Sequence, residues 1–459
     1  MRKNICTCSD SYKFGHFFML RPNTTNVYSY WESRSGAQFN KTVFFGLQYY
    51  LKEYFEGSVV TQEKINFAEH LSNNHLGKGV FNREMWQYIL DTHHGFLPIR
   101  IRAVAEGTPV DVNNVMLTIE NTDSKCAPLT NYLETLISNI WASCTVATLS
   151  REIKILCKHY LDETSDNPDH LKFQLHDFGQ RSVSSPESAG ICGAGHIINF
   201  FGTDTVLALE TAYDYYNAPL ETLAFSVYAS EHSIMTALGE KGEYSIFEDL
   251  INKIPNGILS IVIDSYDYRR FISDYALRLK EKILSRDGKT VFRPDSGEPV
   301  ATTLDVLNLL DEVFGYTVNS KGYKVLNNKV GVLWGDGIDY QGIRNILFAM
   351  KNACWSSDNI VFGMGGFLLQ RVFRDQQRFC MKACKMVIDG KTVDVYKSPL
   401  DQSKKSKRGE LSLIIENGKY QTVNTKDLNG RDDLLIHVFE NGKILREYTF
   451  DEVRLNAKI

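Results

Sequence analysis

Six times between residues 170 and 377 a short apolar run breaks off into a polar or glycine-rich cluster. FQL leads into HDFGQR (176–181), AFSVY into ASEHS (229–233) and LSIVI into DSYD (264–267). TVF leads into RPDSG (293–297), KVGVLW into GDGID (335–339) and NIVF into GMGG (363–366). Amphipathic patterns of helical period fall between them, as at 300–313 and 341–353. Strands alternating with helices require a parallel sheet, since only a crossover helix returns the chain to the same edge. Chemistry-bearing residues placed just after each strand are the layout of a β/α barrel, whose site lies at the C-terminal ends of its strands.

The flanks have a different rhythm. Strands are expected at 26–31, 99–105 and 115–120, and one long helix from Pro128 to about Lys158, with Leu129, Leu133, Leu136 and Ile137 on its apolar face. After residue 380, Asp389-Gly390 and Asn441-Gly442 sit between alternating runs and predict two hairpins. The expected division is 1–150, mixed α and β; 151–380, a β/α barrel; and 381–459, β-rich. The N- and C-terminal segments together would build the second, β-rich domain.

Composition excludes several functions. Lys plus Arg is 51 and Asp plus Glu is 55, a net charge of −4, so electrostatic capture of nucleic acid is not expected. No run reaches the ~18 apolar residues of a membrane helix. The first residues lack an apolar signal core, so a cytoplasmic, non-membrane protein is expected. Nine scattered cysteines give no paired spacing for zinc and read as reduced thiols.

The clusters suggest a phosphate and a flat ring. No Walker loop or dinucleotide fingerprint occurs. GMGGF (363–367) offers bare amides that suit a phosphate, and equally suits a tight turn. In Arg293-Pro294-Asp295 the proline holds a cation and an anion in fixed relation at a strand end. Asp264, Asp267, Asp336 and Asp339 add carboxylates at neighbouring strand ends. Each alone is best read as a helix cap, while the ring of them reads as a site. Phe178 can stack on a planar ligand or fill a core, and Arg181 can meet a phosphate. His232, beside Glu231 at a strand end, suits proton transfer or phosphoryl acceptance, with Glu231 orienting the imidazole. The basic run Lys404, Lys405, Lys407, Arg408 is a solvated loop or a lysine-rich cover for a polyphosphate.

Ten segments together resemble the nicotinate/nicotinamide phosphoribosyltransferase family, in its nicotinamide-using branch. They are DSYKFGH (10–16), VYSYWESR (27–34), HDFGQRSVSSPESAG (176–190), NFFGTDT (199–205), SEHS (230–233), DSYD, RPDSG, GDGID, FGMGG (362–366) and KSKRGELSL (405–413). The resemblance implies an irregular β/α barrel of the type II phosphoribosyltransferase kind, a β-rich second domain and a homodimer with shared active sites. It implies that nicotinamide stacks between Phe178 and Tyr12 of the partner subunit, with Arg293 near ring and ribose. Asp204 would accept the carboxamide N–H and repel the acid analogue. Asp295 would hold the ribose hydroxyls, while Asp267 and Gly335-Asp336 would lie near substrate and Mg2+. Gly365, Gly366, Arg374 and Lys382 would meet phosphate, and Arg34, Lys397 and Lys404 the pyrophosphate or nucleotide. His232 would be phosphorylated by ATP, and the resemblance names no residue as a direct ligand of the metal. Met364, Phe367, Cys380 and Ile263 depart from the family pattern.

The alternatives are a nicotinate phosphoribosyltransferase, an unrelated phosphate-binding barrel enzyme and a non-catalytic binding protein on the same scaffold. Asp204 argues against the first. The set Phe178, Tyr12 and Asp204 argues against the second, and the intact Asp, Arg and His set against the third.

Overall fold

The computed structural model describes residues 4–400 and 405–459, arranged in two compact units. One comprises residues 149–211, 219–372 and 459; the other comprises 1–148, 212–218 and 373–458.

The first unit is built on seven parallel strands. Their order is Gly202–Thr203, Leu175–Asp177, Ile360–Met364, Val330–Trp334, Asp287–Arg293, Asn256–Val262 and Tyr228–Ala229. A parallel bridge from Gly202 to Phe225 joins the two edges, so the sheet curls round on itself. β-Branched and aromatic residues dominate the strands. Val330–Trp334 is buried throughout, as a strand covered on both faces must be. Helices Pro299–Phe314 and Tyr340–Asn352 return the chain between strands. The first carries Pro299 at its opening turn behind a Glu298 cap, and the second is capped by Asp339 on the Gly342 amide.

The second unit holds an antiparallel seven-stranded sheet in which Thr24–Glu32 lies between Cys380–Ile388 and Val115–Asn121. Strands from both ends of the chain therefore share one sheet. The two expected hairpins form, with Asp389 and Asn441 both at positive φ before their glycines, as a type I′ turn requires. Trp31 is fully buried and stacks on Phe379 at 4.7 Å. Glu106, 2% exposed, accepts the Gly46 and Gln48 amides and the Tyr216 hydroxyl, at 3.0, 2.6 and 2.8 Å.

One expected element is corrected. The helix foreseen from Pro128 to Lys158 is three pieces: Leu129–Tyr132, Glu134–Ser138 and Trp141–Thr164. Tight i+3 bonds from Asn139, Ile140 and Ala142 turn the chain between the last two. Leu133, Leu136 and Ile137 before the turn, Ile140 within it and Cys144 after it are all buried, so apolar spacing alone reads straight through it.

Candidate active site

A cavity of about 860 Å³ runs through the curled sheet, lined among others by Phe178, Asp204, Ser226, Ser260, Arg293 and Leu333. Phe178 directly follows the strand Leu175–Asp177, and its amide donates to the Met364 carbonyl at 3.0 Å. Space for its ring comes from two glycines. A Cβ on Gly363 would stand 1.9 Å from Phe178 Cε2, and one on Gly335 would stand 3.4 Å away. Sequence reasoning read Gly363 as part of a phosphate-binding or tight turn and missed that it makes room for an aromatic ring. The signal for it was present, because glycine inside a strand marks a close approach.

Asp177 braces this end of the cavity. Its Oδ1 accepts the Gly179 amide at 2.7 Å, and its carbonyl accepts the Asp204 amide at 2.8 Å. Burial pushes its carboxyl up to about 7, against the lowering effect of its hydrogen bonds. Asp204 itself is exposed, and one of its oxygens accepts the Ser226 hydroxyl. A carboxylate with a spare oxygen beside an aromatic ring is suited to hold an amide N–H.

Arg293 ends the strand Asp287–Arg293, and its Nη2 donates to the Ser230 carbonyl at 2.6 Å. Burial lowers its proton affinity, while Asp295, Asp204 and Asp264 pull it back up and Arg181 opposes them. Those four charged side chains are thus Arg293's electrostatic neighbours.

His232 opens the short helix His232–Met235. Its Nε2 lies 3.2 Å from Asp264 Oδ1, and its Nδ1 lies 4.0 Å from Asp295 Oδ2. The adjacent Glu231 does not orient the ring; its carboxylate takes the Ser233 hydroxyl instead. Asp264, held in turn by the Ser296 hydroxyl, is the residue that fixes the imidazole. Neighbours in sequence alternate faces on an extended segment, so the group reaching His232 comes from the adjoining strand.

The remaining carboxylates divide. Asp267 is engaged as a cap, accepting the Arg269 and Arg270 amides at 2.9 and 3.2 Å, and Asp339 caps as described. Asp336 is exposed and caps nothing; partial burial and the charges of Asp295 and Asp264 hold its carboxyl above the usual range. Gly365 and Gly366 lie at the turn after Ile360–Met364, within 3.3–3.5 Å, by Cβ reach, of the Phe178 carbonyl and Ser182. The helix that follows has only four residues, Gly366–Leu369. Of the departures from the family pattern, Ile263 and Met364 are buried, and Phe367 stacks under Arg371 at 4.0 Å.

Tyr12, Arg34, Arg374, Lys382 and Lys397 belong to the other unit. Tyr12 is 63% exposed, Arg34 Nε donates to the Arg378 carbonyl and Lys382 Nζ to the Met381 carbonyl. Arg374 lies 3.5 Å from Asp375, and Lys397 is exposed. Lys404 falls outside the described residues.

Comparison with known proteins places the arrangement. Residues 173–443 match the nicotinate phosphoribosyltransferase (NAPRTase) family, and residues 4–101 match the nicotinamide phosphoribosyltransferase N-terminal domain. The chain is 43% identical to a nicotinamide phosphoribosyltransferase of Xanthomonas campestris, covering 99% of this chain and 98% of that one. It is 33% identical to one of Acinetobacter baylyi, over 99% and 97%. Among solved structures, nicotinate-nucleotide pyrophosphorylase from Pyrococcus furiosus superposes with a TM-score of 0.63 at 17% identity, over 100% of this chain and 95% of that one. Human nicotinic acid phosphoribosyltransferase does so with 0.62 at 13% identity, over 98% and 92%. These two likenesses establish the fold.

Proposed function

The chain belongs to the nicotinate phosphoribosyltransferase family, and from that premise we propose that it joins nicotinamide to phosphoribosyl pyrophosphate, giving nicotinamide mononucleotide and pyrophosphate in NAD salvage. The choice of amide over acid is carried by Asp204. Its carboxylate stands at the cavity that Phe178 lines, where it accepts from an amide and repels a second carboxylate. Near-full-length relatives named for the nicotinamide reaction support the same choice.

The residues divide the work. Phe178 supplies a stacking face, with Tyr12 of a second copy as the opposite face in a homodimer. Arg293, rigidly held on the Ser230 carbonyl, orients the ring and ribose side. Asp295 holds ribose hydroxyls at the next residue but one. The pyridine nitrogen is already nucleophilic, so the chain need only align it with the anomeric carbon and exclude water. Gly365, Gly366, Arg181, Arg374 and Lys382 serve the phosphates, and Arg34, Lys397 and Lys404 the pyrophosphate. Asp267 and Gly335-Asp336 border the substrate.

Mg2+ fits the carboxylates present. Partial burial first, and then the charges of Asp295 and Asp264, hold the Asp336 carboxyl above its usual range, and a divalent cation beside these three carboxylates would offset that charge. When bound, the ion offsets charge on the departing pyrophosphate. ATP acts through His232. Its Nε2–H donates to Asp264, which leaves the Nδ1 lone pair to accept a phosphoryl group. A cytoplasmic location belongs to the same reading.

The test is a product assay with Mg2+ and phosphoribosyl pyrophosphate, comparing nicotinamide with nicotinic acid, each with and without ATP. Nicotinamide mononucleotide in strong excess, increased by ATP, is the expected outcome. Preference for the acid overturns the Asp204 argument and leaves the family intact. No product from folded protein overturns the enzymatic reading.

A further inference from the structure

Cys126 is a buried thiol that the reaction does not use. It ends the short 3-10 turn Ser124–Cys126, which follows the strand Val115–Asn121 in the unit built on the antiparallel sheet. Asp123 caps that turn. Its Oδ1 accepts the Lys125 amide at 2.8 Å, and its carbonyl accepts the Cys126 amide at 3.0 Å. The helix Arg83–His93 packs against the turn and supplies a third group. His93, its last residue, places Nε2 3.0 Å from Asp123 Oδ2. One nitrogen, one oxygen and one sulfur, from His93, Asp123 and Cys126, all lie within 4.8 Å of one another. Cysteine spacing could not reveal this set, because it holds a single cysteine and its histidine is 30 residues before the carboxylate.

The surroundings suit an ion. The Tyr88 hydroxyl donates to the same Asp123 Oδ2 at 3.0 Å, so the carboxylate is oriented from both oxygens, as coordinating carboxylates are. Hydrogen bonding alone would account for Asp123 and His93, but not for the thiol. The Cys126 side chain is fully buried, and among the described residues its sulfur takes no hydrogen bond. The His93 and Asp123 side chains are 25% and 21% exposed, which leaves an ion a way in from solvent. Lys125, a like charge to any bound cation, is held over the Tyr88 ring at 4.6 Å. Zinc bonds of about 2.0–2.3 Å put tetrahedral ligand atoms roughly 3.3–3.8 Å apart, so closing the cluster on an ion needs shifts of about 1 Å.

We propose that His93, Asp123 and Cys126 form a zinc site, with water completing the tetrahedron. As the zinc–sulfur bond forms, the S–H proton leaves to solvent, and the imidazole keeps its proton on Nδ1 while Nε2 binds the ion. Imidazole and thiolate select Zn2+ over Mg2+, which takes oxygen ligands. The site is structural. Its turn leads into the helix Leu129–Tyr132, and the segment bearing Tyr12 is tied to that helix. The Ser9 hydroxyl donates to the Tyr132 carbonyl at 2.7 Å, and Lys13 Nζ to the Asn131 carbonyl at 3.0 Å. Zinc therefore fixes the base on which Tyr12 stands.

Zn2+ and Co2+ are the probes, titrated into metal-stripped full-length protein in excess Mg2+, which fills the all-oxygen sites. Calorimetry should show zinc binding to wild type, and zinc should raise its melting temperature. Co2+ should give a thiolate-to-cobalt charge-transfer band in the near ultraviolet. Cys126→Ala should lose that band and the thermal shift. His93→Gln, on the partly exposed side of the cluster, should weaken zinc binding by about tenfold or more, and it carries the test should Cys126→Ala fail to fold. No zinc binding to folded wild type, an undiminished cobalt–thiolate band in folded Cys126→Ala, or wild-type zinc affinity in folded His93→Gln would each overturn the proposal. None of these readouts depends on turnover, so they leave the phosphoribosyl-transfer reading to its own assay.

Discussion

At the residue scale the site depends on how a few side chains are held. Phe178→Ala should raise the nicotinamide KM by about tenfold or more, since an aromatic face contributes roughly 0.5–1.5 kcal/mol beyond its area; steady-state kinetics at saturating phosphoribosyl pyrophosphate decide it. Asp177 gives a pH prediction. Its folded carboxyl is raised to about 7, so the unfolded chain releases this proton first. Stability is therefore greatest below the unfolded value and is lost as pH rises from about 4 to about 7, by on the order of 4 kcal/mol. Asp177→Asn keeps the acceptor for Gly179 and should flatten that stretch of a denaturant-midpoint profile. His232→Gln should abolish stimulation by ATP while leaving basal synthesis, and stimulation that persists would remove His232 from that role. Much of this was legible in the sequence, because HDFG, RPDSG and SEHS each end an apolar run. The partner of His232 was not. Adjacency pointed to Glu231, whereas the geometry selects Asp264 from the next strand, and cross-strand neighbours carry no sequence signal.

At the scale of elements, glycine positions mark where strands make room. Gly363→Ala would place a methyl inside the Phe178 ring, so the ring must leave its position. The expected result is loss of nicotinamide affinity with near-wild-type binding of phosphoribosyl pyrophosphate, measured by calorimetry on folded protein. The strand and helix alternation of the barrel was readable because each βα unit repeats one period. The helix breaks near residues 133 and 139 were not, since buried leucines and isoleucines continue across both. Glu106 illustrates the same blindness. Nothing in its sequence context marks a buried carboxylate gathering two amides and a hydroxyl. Glu106→Ala should cost about 3–5 kcal/mol in chemical denaturation, because it strands those donors.

At the scale of the whole molecule, the residues assigned to substrate are divided between two units, with Tyr12 on one and Phe178 on the other. If two copies complete each other's sites, mixing Tyr12→Ala with Arg293→Ala should restore part of the activity that each has lost. Subunit exchange without rescue would argue for sites complete within one chain. Pairing of the chain's two ends in one sheet was foreshadowed by the β-rich character of both.

The bridge that closes the curled sheet has a consequence in time. Gly202 and Phe225 are near neighbours along the chain, whereas Leu175 must find Phe362 far downstream. Loop-closure entropy grows with separation, so the seam can form early and the pairing of Leu175–Asp177 with Ile360–Met364 only late. During synthesis on the ribosome, the strands around 175–229 emerge long before Ile360–Met364 can cover them. Until then the edge of Leu175–Asp177, next to the aromatic platform, stands unpaired, and it is there that a chaperone would be needed first.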